Sequence, residues 1–107
     1  MTPTEKILRQ ARDLIAAPHA WRKGSLEGTT RGHHSYCAVG ALQAAGRNEM
    51  AKRGKYGFRF LGYRKARRLL DEVAPVSDIV NFNDQPSTKK RDILAAFDAA
   101  IEQAASK

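Results

Sequence analysis

The run Ser35-Tyr36-Cys37-Ala38-Val39-Gly40-Ala41-Leu42-Gln43-Ala44-Ala45-Gly46 constrains the fold more than any other stretch. It reads as a short helix of small and apolar residues. A helix that is apolar all round belongs in the middle of a protein, with other helices about it. Ser35 suits the N-cap, and Gly46 suits the left-handed residue that closes many helices. Gly40 and the alanines leave little bulk, so neighbouring backbones can approach closely. The rest of the chain is expected to pack around this helix.

At 107 residues the chain is expected to form one domain, residues 1–107, burying about two-thirds of its unfolded surface. A hydrophobic fraction of 42% argues for a globular chain over a disordered one. No apolar run reaches the roughly 18 residues that a membrane span needs, so no membrane partner is expected. The opening residues Met1-Thr2-Pro3-Thr4-Glu5-Lys6 lack the basic-then-apolar pattern of a signal peptide. Cys37 is the single cysteine, which excludes an intramolecular disulfide and a Cys-rich zinc site. Together these features lead us to expect a soluble cytoplasmic protein. The net charge of +8 points to nucleic acid, anionic lipid or an acidic protein surface as partners.

Thr2-Pro3-Thr4-Glu5 predicts a helix start, with Thr2 as cap, Pro3 at the first position and Glu5 completing a capping box. Ile7, Leu8, Ala11, Leu14 and Ile15 share its apolar face, and Pro18 ends it near Ala17. From His19 to His34 a loop or short irregular hairpin is expected, pinned by Trp21. After Gly46, helix resumes from Asn48 to Arg53, and Tyr56, Phe58 and Phe60 alternate as in a short strand. Tyr63 to Ala74 is an amphipathic helix, with Ala66, Leu69, Leu70 and Val73 opposite Arg64, Arg67, Arg68 and Asp71. A single turn capped by Ser77 then inserts Ile79, Val80 and Phe82, and Asn83-Asp84 turns the chain. The last helix starts at Ser87 or Thr88 and buries Ile93, Leu94, Phe97, Ile101 and Ala104. The expected fold class is mainly α: one compact domain of about four helices around the small-residue helix, with room for a short β-hairpin.

Trp21-x-x-Gly24, Cys37-Ala38-x-Gly40-Ala41-Leu42, Phe82-Asn83-Asp84 and Ile93-Leu94-x-x-Phe97-Asp98-x-Ala100-Ile101 follow one another along the chain. This order resembles a family of small uncharacterised bacterial and phage proteins, a domain of unknown function. The resemblance implies a compact, mainly helical domain and transfers no catalytic residue. The basic stretch described next is not part of its pattern.

Between residues 52 and 68 lie Lys52, Arg53, Lys55, Arg59, Arg64, Lys65, Arg67 and Arg68, with no acidic residue among them. Tyr56, Phe58, Phe60 and Tyr63 are interleaved. Cations of this density favour phosphate backbones, because binding releases condensed counterions, and aromatics can stack on unpaired bases. The expected nucleic-acid-binding residues are Arg53, Lys55, Tyr56, Arg59, Arg64, Lys65, Arg67 and Arg68. An acidic protein partner, or a solvated basic face with core aromatics, explains the same residues. No zinc-finger, RNP or helix-turn-helix pattern accompanies them.

A second constellation is Cys37 with His33, His34, Asn83 and Asp84. A thiolate at a helix start beside a histidine base is the skeleton of a cysteine-dependent hydrolase. Flanked by Tyr36, Ala38 and Val39, Cys37 is more simply explained as a buried structural cysteine. His19 with the other two histidines lacks metal-ligand spacing, and the glycines at 54, 57 and 62 match no nucleotide-binding loop, so no metal or cofactor is expected. The leading expectation is a non-enzymatic protein that engages nucleic acid or a nucleoprotein machine, as a regulator or inhibitor of a host complex. The alternatives are a hydrolase centred on Cys37, and a virion or scaffold component.

Overall fold

Thr2 and Pro3 start α1 (Pro3–Ala16) in the computed structural model, which describes residues 2–53 and 62–106 apart from the side chains of residues 50, 52 and 53. The Thr2 hydroxyl accepts a hydrogen bond from Glu5 N at 3.2 Å. Glu5 does not complete the expected box: its carboxylate takes the Arg9 Nε–H one turn on, at 2.9 Å. Ile7, Leu8, Ala11 and Ile15 are buried. At the other end, Lys90 Nζ donates to the carbonyls of Ala16 (2.9 Å) and Ala17 (2.6 Å). A lysine there satisfies orphan carbonyls and complements the negative end of the helix dipole.

The loop after α1 becomes a regular antiparallel hairpin, β1 (Glu27–Thr30) and β2 (His33–Tyr36), with Thr30 opposite His33 and Glu27 opposite Tyr36. Its two turn residues, Arg31 and Gly32, both have positive φ (50° and 81°). Two such residues give the turn whose twist matches the strands it joins. On its other side β2 meets Trp21, through Arg22 N to Tyr36 O (3.0 Å) and Tyr36 N to Ala20 O (2.8 Å).

The central helix is α2 (Ala38–Arg53), packed on α1 and β2. It begins and ends later than the sequence suggests. Ser35 is drawn into β2, fully buried, with Oγ 2.9 Å from Thr30 Oγ1. The cap falls instead on Cys37, whose O accepts from Ala41 N (2.9 Å) and whose Sγ accepts from Gly40 N (3.3 Å). Gly46 does not end the helix; it lies buried inside it. A mid-helix glycine costs about 1 kcal/mol relative to Ala, less than the packing around this site returns.

Further along come α3 (Tyr63–Val73), α4 (Ile79–Asp84) and α5 (Lys90–Ala105). Helix α3 packs on α1 and α5, and α4 packs on α2. Asp78, not Ser77, caps α4, its carboxylate accepting from Asn81 N at 2.8 Å. Of the residues expected inside, Ile79 is buried and Phe82 half-buried, while Val80 is exposed. The cap of α5 is Lys89, not Ser87 or Thr88, and Asp92 reaches back to Lys89 N at 2.8 Å. Phe97, Ile93 and Ala100 complete a core shared by α1, α2, α3 and α5. The architecture is mainly helical with one short hairpin. The strand pattern of Tyr56, Phe58 and Phe60 lies outside the described residues.

Gly40 shows how closely the hairpin approaches α2. A Cβ there would sit 1.8 Å from Leu26 O, and that same carbonyl accepts from Cys37 N at 3.1 Å. Helix propensity alone predicts that Gly40→Ala stabilises by about 1 kcal/mol. The close approach predicts the reverse, a loss of about 2 kcal/mol or more as the hairpin is pushed off. Urea denaturation decides the sign; a stabilised variant would remove the close approach as a constraint.

Candidate functional site

The basic face expected from the sequence is carried, among the described residues, by α3. Its inner side chains Ala66, Leu69 and Leu70 are buried, which turns Arg64, Lys65 and Arg68 to solvent. None of these three makes an ion pair or hydrogen bond among the described residues. Arg67 differs from them. It pairs with Asp71 one turn on, Nε to Oδ2 at 3.3 Å, and Asp71 Oδ1 accepts from Ile79 N at 2.9 Å. Arg67 therefore braces the α3–α4 junction. Tyr63 is half-buried and packs against the core. Lys55, Tyr56, Arg59 and the side chain of Arg53 lie outside the described residues.

A second assembly gathers Trp21, Gly24, Cys37, Gly40, Asn83 and Asp84. Its centre is Asn83, 1% exposed. Asn83 Oδ1 accepts from Trp21 Nε1 (2.7 Å) and from Ala38 N (3.1 Å), the first amide of α2. Its Nδ2 donates to Arg22 O (3.1 Å) and to Asp84 Oδ1 (3.0 Å). An asparagine amide has two donors and two acceptor sites, and here all four are used. Asp84 also accepts from Gly24 N at 3.0 Å, and Lys23 Nζ lies 5.5 Å from the centre of the Trp21 ring. The expectation that Asn83 simply turns the chain is thus corrected: it is a buried junction between α4, the Trp21 loop and the start of α2. The sequence did carry one sign of this, because Asn83 follows buried Ile79 by four residues and shares its helical face.

Beside this junction lies a pocket of about 170 Å³, lined by Leu26, Cys37, Val39, Val80, Asn83 and Asp84 among others. Leu26 and Val80, 46% and 39% exposed, are the large hydrophobic side chains left open to solvent among the described residues, and both line it. A polar groove between α1 and α5 is larger, but its arginines are committed, Arg9 to Glu5 and Arg12 to Asp98. The Asp98 hydrogen bond holds the Arg12 guanidinium above its ordinary pKa.

The histidines are placed away from Cys37. His33 stacks on His19 at 5.5 Å, and His34 stacks on Tyr36 at 4.6 Å. His34 Nε2 lies 2.9 Å from Glu27 Oε1, and Arg47 Nη2 lies 3.2 Å from Glu27 Oε2. The His34 hydrogen bond, aided by the Arg47 charge, lowers the Glu27 pKa against desolvation. A depressed carboxylate contributes stability above its unfolded pKa and loses it as pH falls through the folded value; at this exposed site screening keeps the amount small. Cys37 is a buried free thiol bonded to Gly40 N, and no described histidine is hydrogen-bonded to it. Among the described residues no group of three or more His, Cys, Asp or Glu side chains is placed to hold a metal ion.

Fold and surface together define a small helical protein strapped by a hairpin, with a basic helix face and an apolar pocket on its described surface. The chain belongs to the family of unknown function DUF6197, whose match spans residues 1–103. No curated protein and no solved structure matches it.

Truncating the junction should be costly. Asn83→Ala strands the Trp21 indole N–H, the Ala38 amide and the Arg22 carbonyl, and each buried unpaired group costs about 1–3 kcal/mol. The expected loss is about 3 kcal/mol, with the thermal midpoint lowered by roughly 10 °C or more. A drop below about 1 kcal/mol would show that Asn83 is not the junction described.

Proposed function

We propose that this protein is a non-enzymatic binding protein that holds nucleic acid, or the nucleic-acid surface of a nucleoprotein complex, against α3. The observation that carries this reading is the exposure of Arg64, Lys65 and Arg68 with no ion pair to any of them among the described residues. Arg64 and Arg68 are one turn apart and repel by a few tenths of a kcal/mol. Glu72, one turn beyond Arg68, makes no ion pair with it among the described residues. A run of phosphates relieves that repulsion and gains entropy from released counterions. Arg53, Lys55, Tyr56 and Arg59, next to α3 in sequence, belong to the same proposal on sequence grounds. Arg67, occupied by Asp71, leaves the contact set.

No helix of the described residues is long and apolar enough to cross a membrane. The cytoplasmic setting is part of the proposal, supported by the presence of a single cysteine, which is buried. The resemblance to phage proteins gives it one concrete form, a small regulator of a host nucleoprotein machine.

The test is a salt series with a labelled single strand and a labelled duplex. Wild type is compared with Arg64→Ala/Lys65→Ala/Arg68→Ala and with a control that removes three charges elsewhere, Arg31→Gly/Lys89→Ala/Arg91→Ala. Each phosphate contact adds about 0.9 to the slope of log K against log salt for duplex and about 0.7 for a single strand. The α3 variant should flatten the slope by about 2 to 3, and the control by less than about 1. Absence of wild-type binding at low salt, or equal effects of the two variants, overturns the proposal.

A further inference from the structure

The pocket beside Asn83 has a size, a lining and a mouth that together name a ligand class. Its volume of about 170 Å³ is too small for an extended ligand. An apolar cavity of about 150 Å³ holds one benzene ring. The lining is apolar on three sides: Leu26 from the loop before β1, Val39 from the first turn of α2, and Val80 from α4. The two large apolar side chains exposed among the described residues, Leu26 and Val80, thus both border this one concavity.

The mouth carries a charge of the opposite sign to the molecule. Asp84 is exposed, and its Oδ1 is held by Gly24 N and Asn83 Nδ2. Its Oδ2 accepts no hydrogen bond from a described residue, and Asp84 makes no ion pair among them. The nearby Lys23 ammonium is turned to the carbonyls of Gln85 and Pro86 instead. On a chain of net charge +8, Asp84 presents at the pocket a carboxylate that makes no ion pair among the described residues and is fixed in position by two donors.

We propose that this pocket binds a small amphiphilic amine, one ring-sized apolar group seated between Leu26, Val39 and Val80 with its ammonium at Asp84. The amine requirement comes from Asp84, and the single ring from the volume. This site is separate from the α3 face and stands whether or not nucleic acid binds there.

The experiment is an amide chemical-shift titration of the folded protein with benzylamine, benzyl alcohol and benzoate near pH 7. Benzylamine should give saturable shifts centred on Leu26, Val39, Val80 and Asp84, with a millimolar dissociation constant, as expected for so few atoms. It should bind about three- to five-fold more tightly than the alcohol, the worth of one exposed ion pair, and benzoate should bind most weakly. Asp84→Asn keeps an acceptor for Gly24 N and should equalise amine and alcohol. Val80→Phe, at an exposed position, should fill the mouth and abolish the shifts, while amide dispersion reports that each variant is folded. No saturable shift by about 50 mM benzylamine, unchanged binding to Val80→Phe, or wild-type binding indifferent to charge would each overturn the proposal.

Discussion

The four hydrogen bonds of Asn83 are the interaction on which the rest of this fold depends. A buried amide is costly unless every donor and acceptor is met, and here the partners come from the Trp21–Arg22 loop, the start of α2 and the neighbouring Asp84. Trp21 supplies a donor from the loop after α1, Ala38 the first amide of α2, Arg22 a carbonyl, and Asp84 a carboxylate. The direction of the amide follows from these partners. An indole N–H and a backbone N–H can only donate, so the oxygen must face them. One side chain of a six-residue helix thereby fixes where the central helix starts and where the loop crosses it.

The hairpin follows from that placement. Once Trp21 is held at Asn83, Ala20 and Arg22 pair with Tyr36, and β2 must run directly into Cys37. Ser35 is then a strand residue whatever its capping propensity, and the thiol of Cys37 takes over the duty at the helix start. Cys37 N and Gly40 both face Leu26 O, the first through a hydrogen bond and the second through a missing side chain. Tertiary pairing overrides local propensity here because it satisfies several buried groups at once, whereas a cap satisfies one.

This also explains which parts of the molecule were legible in the sequence. Helices α1, α3 and α5 were readable because their apolar residues recur at helical spacing, and the first of them has a strong start at Thr2-Pro3. The centrality of α2 was readable from its lack of a polar face. Its limits were not, since Ser35 and Gly46 are ambiguous signals that only their neighbours resolve. The basic face was legible as charge. The pairing of Arg67 was not, because Asp71 serves Arg67 and the first amide of α4 together. The pocket could not be read at all: Leu26, Val39 and Val80 are far apart in sequence, and Val80 was expected inside.

The use made of the acidic side chains explains why the positive charge stays unneutralised where it does. Four of them hold backbone amides: Asp71 at Ile79, Asp78 at Asn81, Asp84 at Gly24 and Asp92 at Lys89. Three of these lie at the starts of α4 and α5, where the positive end of the helix dipole favours a carboxylate. Glu5, Glu27 and Asp98 hold Arg9, His34 with Arg47, and Arg12. Carboxylates engaged in capping and bracing are not available to the outer face of α3. With 19 lysines and arginines against 11 acidic residues, the excess has to face water somewhere. The fold concentrates part of it on one helix whose other side is packed into the core, so the backbone positions of those cations are fixed on one surface while their exposed side chains remain free to move. The same helix packing that builds the core thus sets where this positive potential lies, and the proposed polyanion contact depends on that placement.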